Sequence, residues 1–282
     1  MLKTVTRPVH ITFFHDRGMR ETVELYELFA AQNDKISVEF FDPTLNPAQA
    51  KLRGVQFAGT ALFESSPIER AWRDVHAGVA QITMSRSQVF NAFDEVMIGE
   101  LDAAFAQLSQ DPAVRVIVLA GEGRHFSAGA DLQWMQRASV ATLEWNTADA
   151  RRFAGMLHRI ATCPKPTVAR VQGAALGGGV GLTCACDMAV VADNASFSVS
   201  EAKFGILPSV IGPYVTNAVG KRQARRLALT ASRIPASEAL ALGLVQEVVE
   251  DIDAALERWI AELLLNGPGA LGEIKALFAQ LE

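Results

Sequence analysis

Gln172-Gly173-Ala174-Ala175-Leu176-Gly177-Gly178-Gly179-Val180-Gly181-Leu182 is the stretch on which the fold turns. It follows a short apolar run, Pro166 to Val171, that reads as a buried β-strand. Gly177-Gly178-Gly179 then opens a helix. The first N–H groups of a helix lack intrahelical partners and carry the positive end of its dipole, so they receive anions or an oxyanion. Upstream, Phe126-Ser127-Ala128-Gly129-Ala130-Asp131 is a second glycine-bearing turn after a second apolar run, Val114 to Ala120. Two such loops side by side can aim two N–H donors at one carbonyl oxygen, which makes an oxyanion hole. A dinucleotide-binding loop is the rival reading, and the context is wrong for it, since that motif follows the first strand of a βαβ unit. Packing alone is the other rival. Ser200-Glu201 downstream weighs against it, because three local signals then agree on one site.

Working outward, the chain from Val79 reads as repeated β-α-β. Val79 to Met84 is a strand, and Asp94 to Leu108 is a helix with an apolar stripe at Val96, Met97, Leu101, Ala104, Phe105 and Leu108. Val114 to Ala120 is almost wholly apolar, as a strand covered on both faces should be. Ala148 to Ala161 is a helix, and Met188 to Ala192 a further strand. Gly220 to Thr230, Pro235 to Ala241, Asp253 to Leu265 and Gly269 to Leu281 read as helices. Asn194 to Ser200 reads as extended. Residues 9 to 64 form a separate small unit. Its strands are His10 to Phe14, Ile36 to Phe41 and Thr60 to Phe63, with helices over Arg20 to Gln32 and Pro47 to Arg53. The order β-α-β-α-β predicts a thioredoxin-like or similar α/β unit. It lacks Cys-x-x-Cys, which excludes dithiol chemistry of that kind. Ser65-Ser66-Pro67 marks the boundary, giving residues 1–66 and 67–282.

With 282 residues, half of them hydrophobic and a fifth charged, the composition is that of a globular protein with a full core. The net charge of −5 argues against nucleic acid as a partner. No apolar run reaches the length that spans a bilayer, and Met1 to Pro8 lacks the apolar core of a signal peptide. The expected location is the cytoplasm. Three cysteines, Cys163, Cys184 and Cys186, argue against a disulfide framework, and Cys184-Ala185-Cys186 has neither the spacer nor the second half of a zinc site. They read as buried, inert thiols. The five histidines are scattered, so no metal is expected.

The two glycine motifs and Ser200-Glu201 resemble the crotonase (enoyl-CoA hydratase/isomerase) superfamily, from about Ile68 to the C-terminus. The resemblance implies a crotonase-like ββα spiral core. It implies an oxyanion hole from the N–H groups of Ala130 and Gly178, holding the thioester oxygen of an acyl-CoA. A thioester α-proton is a poor acid, and two donors in a dry site lower the cost of the enolate by several kcal/mol. Glu201 is the implied acid/base. The loop Arg86 to Ala92 and the segment Ala128 to Ala130 are implied to approach CoA. The binding residues so implied are Arg86, Asn91, Ala92, Ala128, Gly129, Asp131, Gly177 and Tyr214. Asp131 reads as the cap of a helix from Leu132 rather than a base. CoA comes as part of the substrate, with no further cofactor.

Well-known hydratases of the family carry a second glutamate two residues after the glycine triplet, where this chain has Gly181. One glutamate must then deprotonate water and return the proton to Cα on the same face. Hydratase and Δ3-Δ2 isomerase both stay open on that ground, with a non-catalytic CoA-ester-binding module as the competing class. Val89 to Met97, His125 to Trp134, Ala169 to Ala174, Gly179 to Leu182 and Ile211 to Val215 resemble a bacterial subgroup acting on branched, carboxylated enoyl-CoAs of the methylglutaconyl-CoA and isohexenylglutaconyl-CoA type. Such a substrate needs a cation or donors for its distal carboxylate. Arg86, Lys203 and Tyr214 are weak candidates for that role, and Arg170, inside a strand, reads as structural. Family members continue beyond the segment resembling Gly269 to Leu281, with helices that cover the acyl site and build a trimer. A chain ending at Glu282 is expected to lack them, which puts a homo-oligomer, trimer or hexamer, in question. Residues 9 to 64 weakly resemble part of an auxiliary subunit of gliding-motility-type ABC transporters, which implies a docking appendage.

Overall fold

The computed structural model describes residues 9–14, 23–24, 27, 31, 36–42, 60–65, 68–71 and 78–280. The chain divides into two units, Met1–Ser66 and Pro67–Glu282. In the first, β1 (Val9–Phe14) is central in a three-stranded sheet of order β2-β1-β3. It runs parallel to β2 (Ile36–Phe41) and antiparallel to β3 (Thr60–Ser65). The expected helix Pro47 to Arg53 and most of Arg20 to Gln32 lie outside the described residues.

The second unit is built on a six-stranded sheet of order β12-β9-β7-β6-β5-β4. These are β4 (Ile68–Ala71), β5 (Val79–Met84), β6 (Val116–Gly121), β7 (Thr167–Val171), β9 (Met188–Ala192) and β12 (Glu247–Val249). All pairs are parallel except β4 with β5. β6 is buried along its whole length. Ile117 and Leu119 enter the larger core, and Val116 and Val118 enter a smaller one closed by Ile252, Leu256 and Ile260. A strand buried on both faces cannot alternate polar and apolar residues, which is why Val114 to Ala120 reads as it does. A second small sheet, order β11-β10-β8, joins β8 (Ala174–Leu176), β10 (Ser196–Ser198) and β11 (Ile234–Pro235).

The helices are α1 (Glu95–Gln110), α2 (Leu132–Ser139), α3 (Leu143–Ala161), α4 (Gly178–Ala185), α5 (Gly212–Thr230), α6 (Ala236–Ala241), α7 (Ile252–Leu265) and α8 (Pro268–Ala279). Asp94 caps α1, its Oδ1 accepting from Val96 N at 3.2 Å and Met97 N at 3.1 Å. Such a cap stabilises by ~1 kcal/mol. α5 is two helical runs that meet at Gly220, and the expected helix Gly220 to Thr230 is the second of them. Gly220 has φ 74° and ψ 154°, which kinks the element there. None of the described helices is long and apolar enough to cross a membrane.

The strands β4, β8, β11 and β12 carry no usable pattern in the sequence, because two to four residues are too few for a period. Arg170 in β7 is structural as expected: its Nε and Nη2 donate to the Asp253 carboxylate at 2.8 and 3.0 Å. Burial pushes the Cys184 thiol up to about 12 and raises those of Cys163 and Cys186 as well, so all three stay protonated at neutral pH.

Candidate active site

The two glycine motifs meet through a two-residue parallel bridge. Ser127 N donates to Ala174 O at 3.1 Å, and Leu176 N donates to Ser127 O at 2.9 Å. Gly177 N is tied to Ser198 O at 2.8 Å, which fixes where α4 starts. Gly177 takes φ 50° and ψ −120°, a conformation open to glycine, and so turns the chain from β8 into α4.

A second bridge sets Ala130. Phe93 N donates to Gly129 O at 2.8 Å, and Asp131 N donates to Phe93 O at 3.0 Å. A parallel bridge uses the groups on either side of its central residue, so the N–H of Ala130 points the other way. The N–H of Gly178 sits in the first turn of α4, where no helical acceptor exists. Neither N–H donates to a protein acceptor among the described residues. Both residues line one cavity of about 830 Å³.

The glycines are required by contact. A Cβ on Gly178 would stand 2.1 Å from Cζ of Phe93, and one on Gly179 would stand 2.8 Å from Ser127 O. One on Gly177 would stand 3.4 Å from Oε1 of Glu201, so Glu201 lies against the same turn. Glu201 opens a short 3-10 turn, Glu201–Phe204, after β10, and it lines the cavity. Its Oε2 is buried with no hydrogen-bond partner among the described residues. Burial raises its carboxyl above the ordinary glutamate value, and a backbone hydrogen bond offsets that only in part. A raised carboxyl beside two unpaired donors can carry a proton to and from a group whose oxygen those donors hold.

Arg86, Ala92, Ala128, Asp131 and Gly177 also line this cavity. Arg86 is already engaged: Nη1 donates to Ala92 O at 2.6 Å, and its guanidinium pairs with Asp94 at 3.2 Å and Asp131 at 3.0 Å. Asp131 caps α2, its Oδ1 accepting from Gln133 N at 2.8 Å and Trp134 N at 3.3 Å.

Three expected binding residues fall elsewhere. Asn91 is fully buried beneath the loop. Its Oδ1 accepts from Arg86 N at 3.0 Å, and its Nδ2 donates to Glu122 O at 2.9 Å and His125 O at 2.8 Å. It braces the loop and has no donor left over. Gly129 shapes the turn with φ 86° and does not line the cavity. Tyr214 lies in a different cavity, with Cys184, Asp187 and Lys275, because the first turn of α5 carries it away from Glu201.

Sequence reading missed the aromatic wall. Phe93 packs on Phe153 with ring centroids 5.2 Å apart, and Trp134 lies 6.3 Å from Phe93. It also missed Asp149, a buried carboxylate in the cavity wall that pairs with Arg152 at 2.9 Å. The spacing Asp149, Phe153, Met156, Ile160 puts a charge on the buried stripe of α3, which was the available signal. No group of three metal-ligating side chains comes together among the described residues.

A parallel sheet whose crossover loops place two free N–H groups beside a buried glutamate defines an acyl-transforming enzyme of the crotonase fold. Residues 74–280 match the model of the enoyl-CoA hydratase/isomerase family, and the chain belongs to that family. It is similar to a solved enoyl-CoA hydratase from Shewanella pealeana, at 41% identity and TM-score 0.74, over 76% of this chain and 80% of that one. It is similar to Pseudomonas aeruginosa AtuE, at 39% identity and TM-score 0.73, over 76% and 83%. An enoyl-CoA hydratase from Mycobacterium smegmatis matches at 32% identity and TM-score 0.72, over 76% and 82%.

Proposed function

We propose that this family member hydrates a branched 2-enoyl-CoA of the methylglutaconyl-CoA type, with Glu201 as its acid/base. The observation that carries the reading is the buried, unpartnered Oε2 of Glu201 in the cavity that Ala130 and Gly178 also line. The thioester oxygen takes hydrogen bonds from the N–H groups of Ala130 and Gly178. Glu201 removes a proton from water as its oxygen bonds to Cβ, and the electron pair of the double bond moves to the thioester as an enolate. The enolate then takes a proton from Glu201 at Cα, which returns the carboxylate. Water supplies both added groups, so nothing else is consumed. Burial favours the protonated form of Glu201 and so makes this exchange accessible.

The subgroup wording around the site supports the branched, carboxylated substrate. CoA enters as part of that substrate, along the loop that carries Arg86 and Ala92 and past Ala128 and Gly177. By the family resemblance the working form is a cytoplasmic homo-oligomer, trimer or hexamer. The exposed Leu265, Ile274, Leu277 and Phe278 near the end of the chain are apolar area for such contacts. The N-terminal unit serves as a docking appendage.

One observation favours Δ3-Δ2 isomerisation as the second reading. A Cβ on Gly181 would stand 2.4 Å from Cγ2 of Ile211, so this backbone has no space for a second carboxylate there. The deciding experiment follows loss of the conjugated thioester absorbance with a panel of 2-enoyl-CoAs, on the wild type and on Glu201→Gln. Water addition that collapses in the variant is the expected result. Migration of the double bond of a 3-enoyl-CoA, without hydration of any 2-enoyl-CoA, would establish the isomerase instead.

A further inference from the structure

Asp149 is a buried carboxylate that hydration through Glu201 leaves without a task. It stands on the buried stripe of α3 and is 5% exposed. It lines the cavity, whereas its partner Arg152 does not and has a side chain 55% exposed. The pair therefore spans the wall, with the carboxylate inside and the guanidinium outside. Arg152 Nη2 donates to Oδ1 of Asp149 at 2.9 Å. No described residue donates to Oδ2, and that atom is not sealed off as Oε2 of Glu201 is. Burying a carboxylate is costly, and an ion pair between residues three apart on a helix contributes too little to offset it. Holding Arg152 is thus no reason to bury Asp149.

Phe153 gives the position of Asp149 along the acyl path. Its Cζ stands 3.1 Å from where a Cβ on Gly178 would be, so its ring ends at the oxyanion turn. Asp149 is four residues earlier on the same face of α3, one turn or ~6 Å away. The direction of that offset follows from α2, which starts beside Ala130 and runs to Ala138, a lining residue. Asn146 Nδ2 donates to Ala138 O at 3.0 Å, so the start of α3 lies at the end of α2 away from Ala130. The carboxylate of Asp149 is therefore set past Cα, beside the carbons further down the chain. Glu201 approaches from another direction: the missing Cβ of Gly177 faces Glu201, and that of Gly178 faces Phe93 and Phe153.

We propose that Asp149 is a second acid/base of this cavity, acting at Cγ of the acyl chain as Glu201 acts at Cα. The proposal rests on a CoA thioester lying in the cavity with its oxygen on the N–H groups of Ala130 and Gly178. Oδ2 takes a proton from Cγ of a 2-enoyl thioester. The C–H electron pair becomes the Cβ=Cγ bond, and the Cα=Cβ pair moves to form the enolate, whose charge rests on the thioester oxygen. A proton returned at Cγ restores the 2-enoyl ester. A proton given at Cα by Glu201 yields the 3-enoyl ester, and exchange with water resets both carboxyl groups.

The test is proton exchange in D2O, followed by NMR on the full chain. Crotonyl-CoA reports exchange at Cγ, and butyryl-CoA, which has no acidic γ-proton, reports exchange at Cα. The wild type is expected to exchange both. Asp149→Asn is expected to lower γ exchange at least tenfold relative to α exchange, and Glu201→Gln to do the opposite. Arg152→Gln breaks the same ion pair from outside and is expected to keep γ exchange within about threefold. Wild type without γ exchange overturns the proposal, whether or not any variant folds. So does γ exchange that falls with Glu201→Gln but survives Asp149→Asn. Loss of γ exchange in Arg152→Gln overturns it too, since the ion pair would then be a brace. Hydration of crotonyl-CoA is read in the same samples. Exchange at Cγ without hydration sinks the hydratase reading and leaves Asp149 in its role, and hydration without exchange at Cγ does the reverse.

Discussion

Gly177 and Glu201 share one corner of the cavity: a Cβ on the glycine would stand 3.4 Å from Oε1 of the glutamate and 3.2 Å from Oγ of Ser200. The turn that starts α4 therefore also seats the acid/base. A methyl group at Gly177 has two costs, a side chain at φ 50° and a tight contact of 3.2 Å with Oγ of Ser200, the residue before Glu201. Gly177→Ala is expected to lower kcat more than it raises KM, since the strain falls on the turn and on Ser200 beside Glu201 rather than on the CoA loop. Steady-state kinetics with one good substrate decides this, and a change in KM alone would contradict it.

Glu201→Gln is expected to reduce kcat by about 10²-fold or more, the scale of lost general acid–base work, with CoA-ester affinity held within about threefold. In the wild type the base must be ionised to accept a proton from water. Activity should thus rise with pH through a carboxyl group above the ordinary glutamate value. That rising limb should vanish in the residual activity of the variant. A pH profile of kcat/KM on both proteins checks it.

The same shift has a stability sign. Burial raises the folded-state value of Glu201 above its unfolded one, so the folded protein holds this proton more tightly. Its contribution is fully present below the unfolded value and is lost as pH rises through the folded one. At neutral pH the ionised carboxylate is a net cost. Glu201→Gln should raise Tm at pH 7 and leave it nearly unchanged in acid, where both side chains are neutral. Thermal melts at the two pH values test this, and a lower Tm at pH 7 would contradict it.

Gly181 and Ile211 give a packing test free of chemistry. Gly181→Ala sets a methyl 2.4 Å from Cγ2 of Ile211, and overpacking of this kind costs ~1–3 kcal/mol. Ile211→Ala opens a cavity and is expected to cost ~2–5 kcal/mol. The double variant should cost less than the sum, because each change relieves the other. Denaturant unfolding of the four proteins measures the coupling, and strict additivity would show that the two sites do not touch.

Asp131 separates capping from pairing. Asparagine caps a helix about as well as aspartate but cannot pair with Arg86. Asp131→Asn should therefore cost less than Asp131→Ala, by ~1 kcal/mol. Equal losses would mean that the cap contributes nothing.

Much of the frame was legible because its signals are local. β5 and β9 fall where their apolar runs place them, and Asp94 and Asp131 cap the helices that follow them. The glycine triplet announces the start of α4 in the same way, since only backbone N–H groups and tight turns are at stake. Strands of two or three residues, such as β8 and β11, leave no such trace, because pairing with distant partners defines them.

What the sequence by itself determined is the set of groups that a turn or a helix end must supply: two glycine-bearing loops, a capping aspartate and one glutamate after an extended segment. The tertiary structure alone decided which of them meet. It brought Ala130, Gly178 and Glu201 to one cavity, turned Asn91 into a brace, and sent Tyr214 to another cavity. It also left Oε2 of Glu201 and Nε1 of Trp134 buried and without a partner among the described residues. The physical reason is range. A turn or a cap is settled within four residues, whereas burial and the absence of a partner depend on every element that packs around an atom.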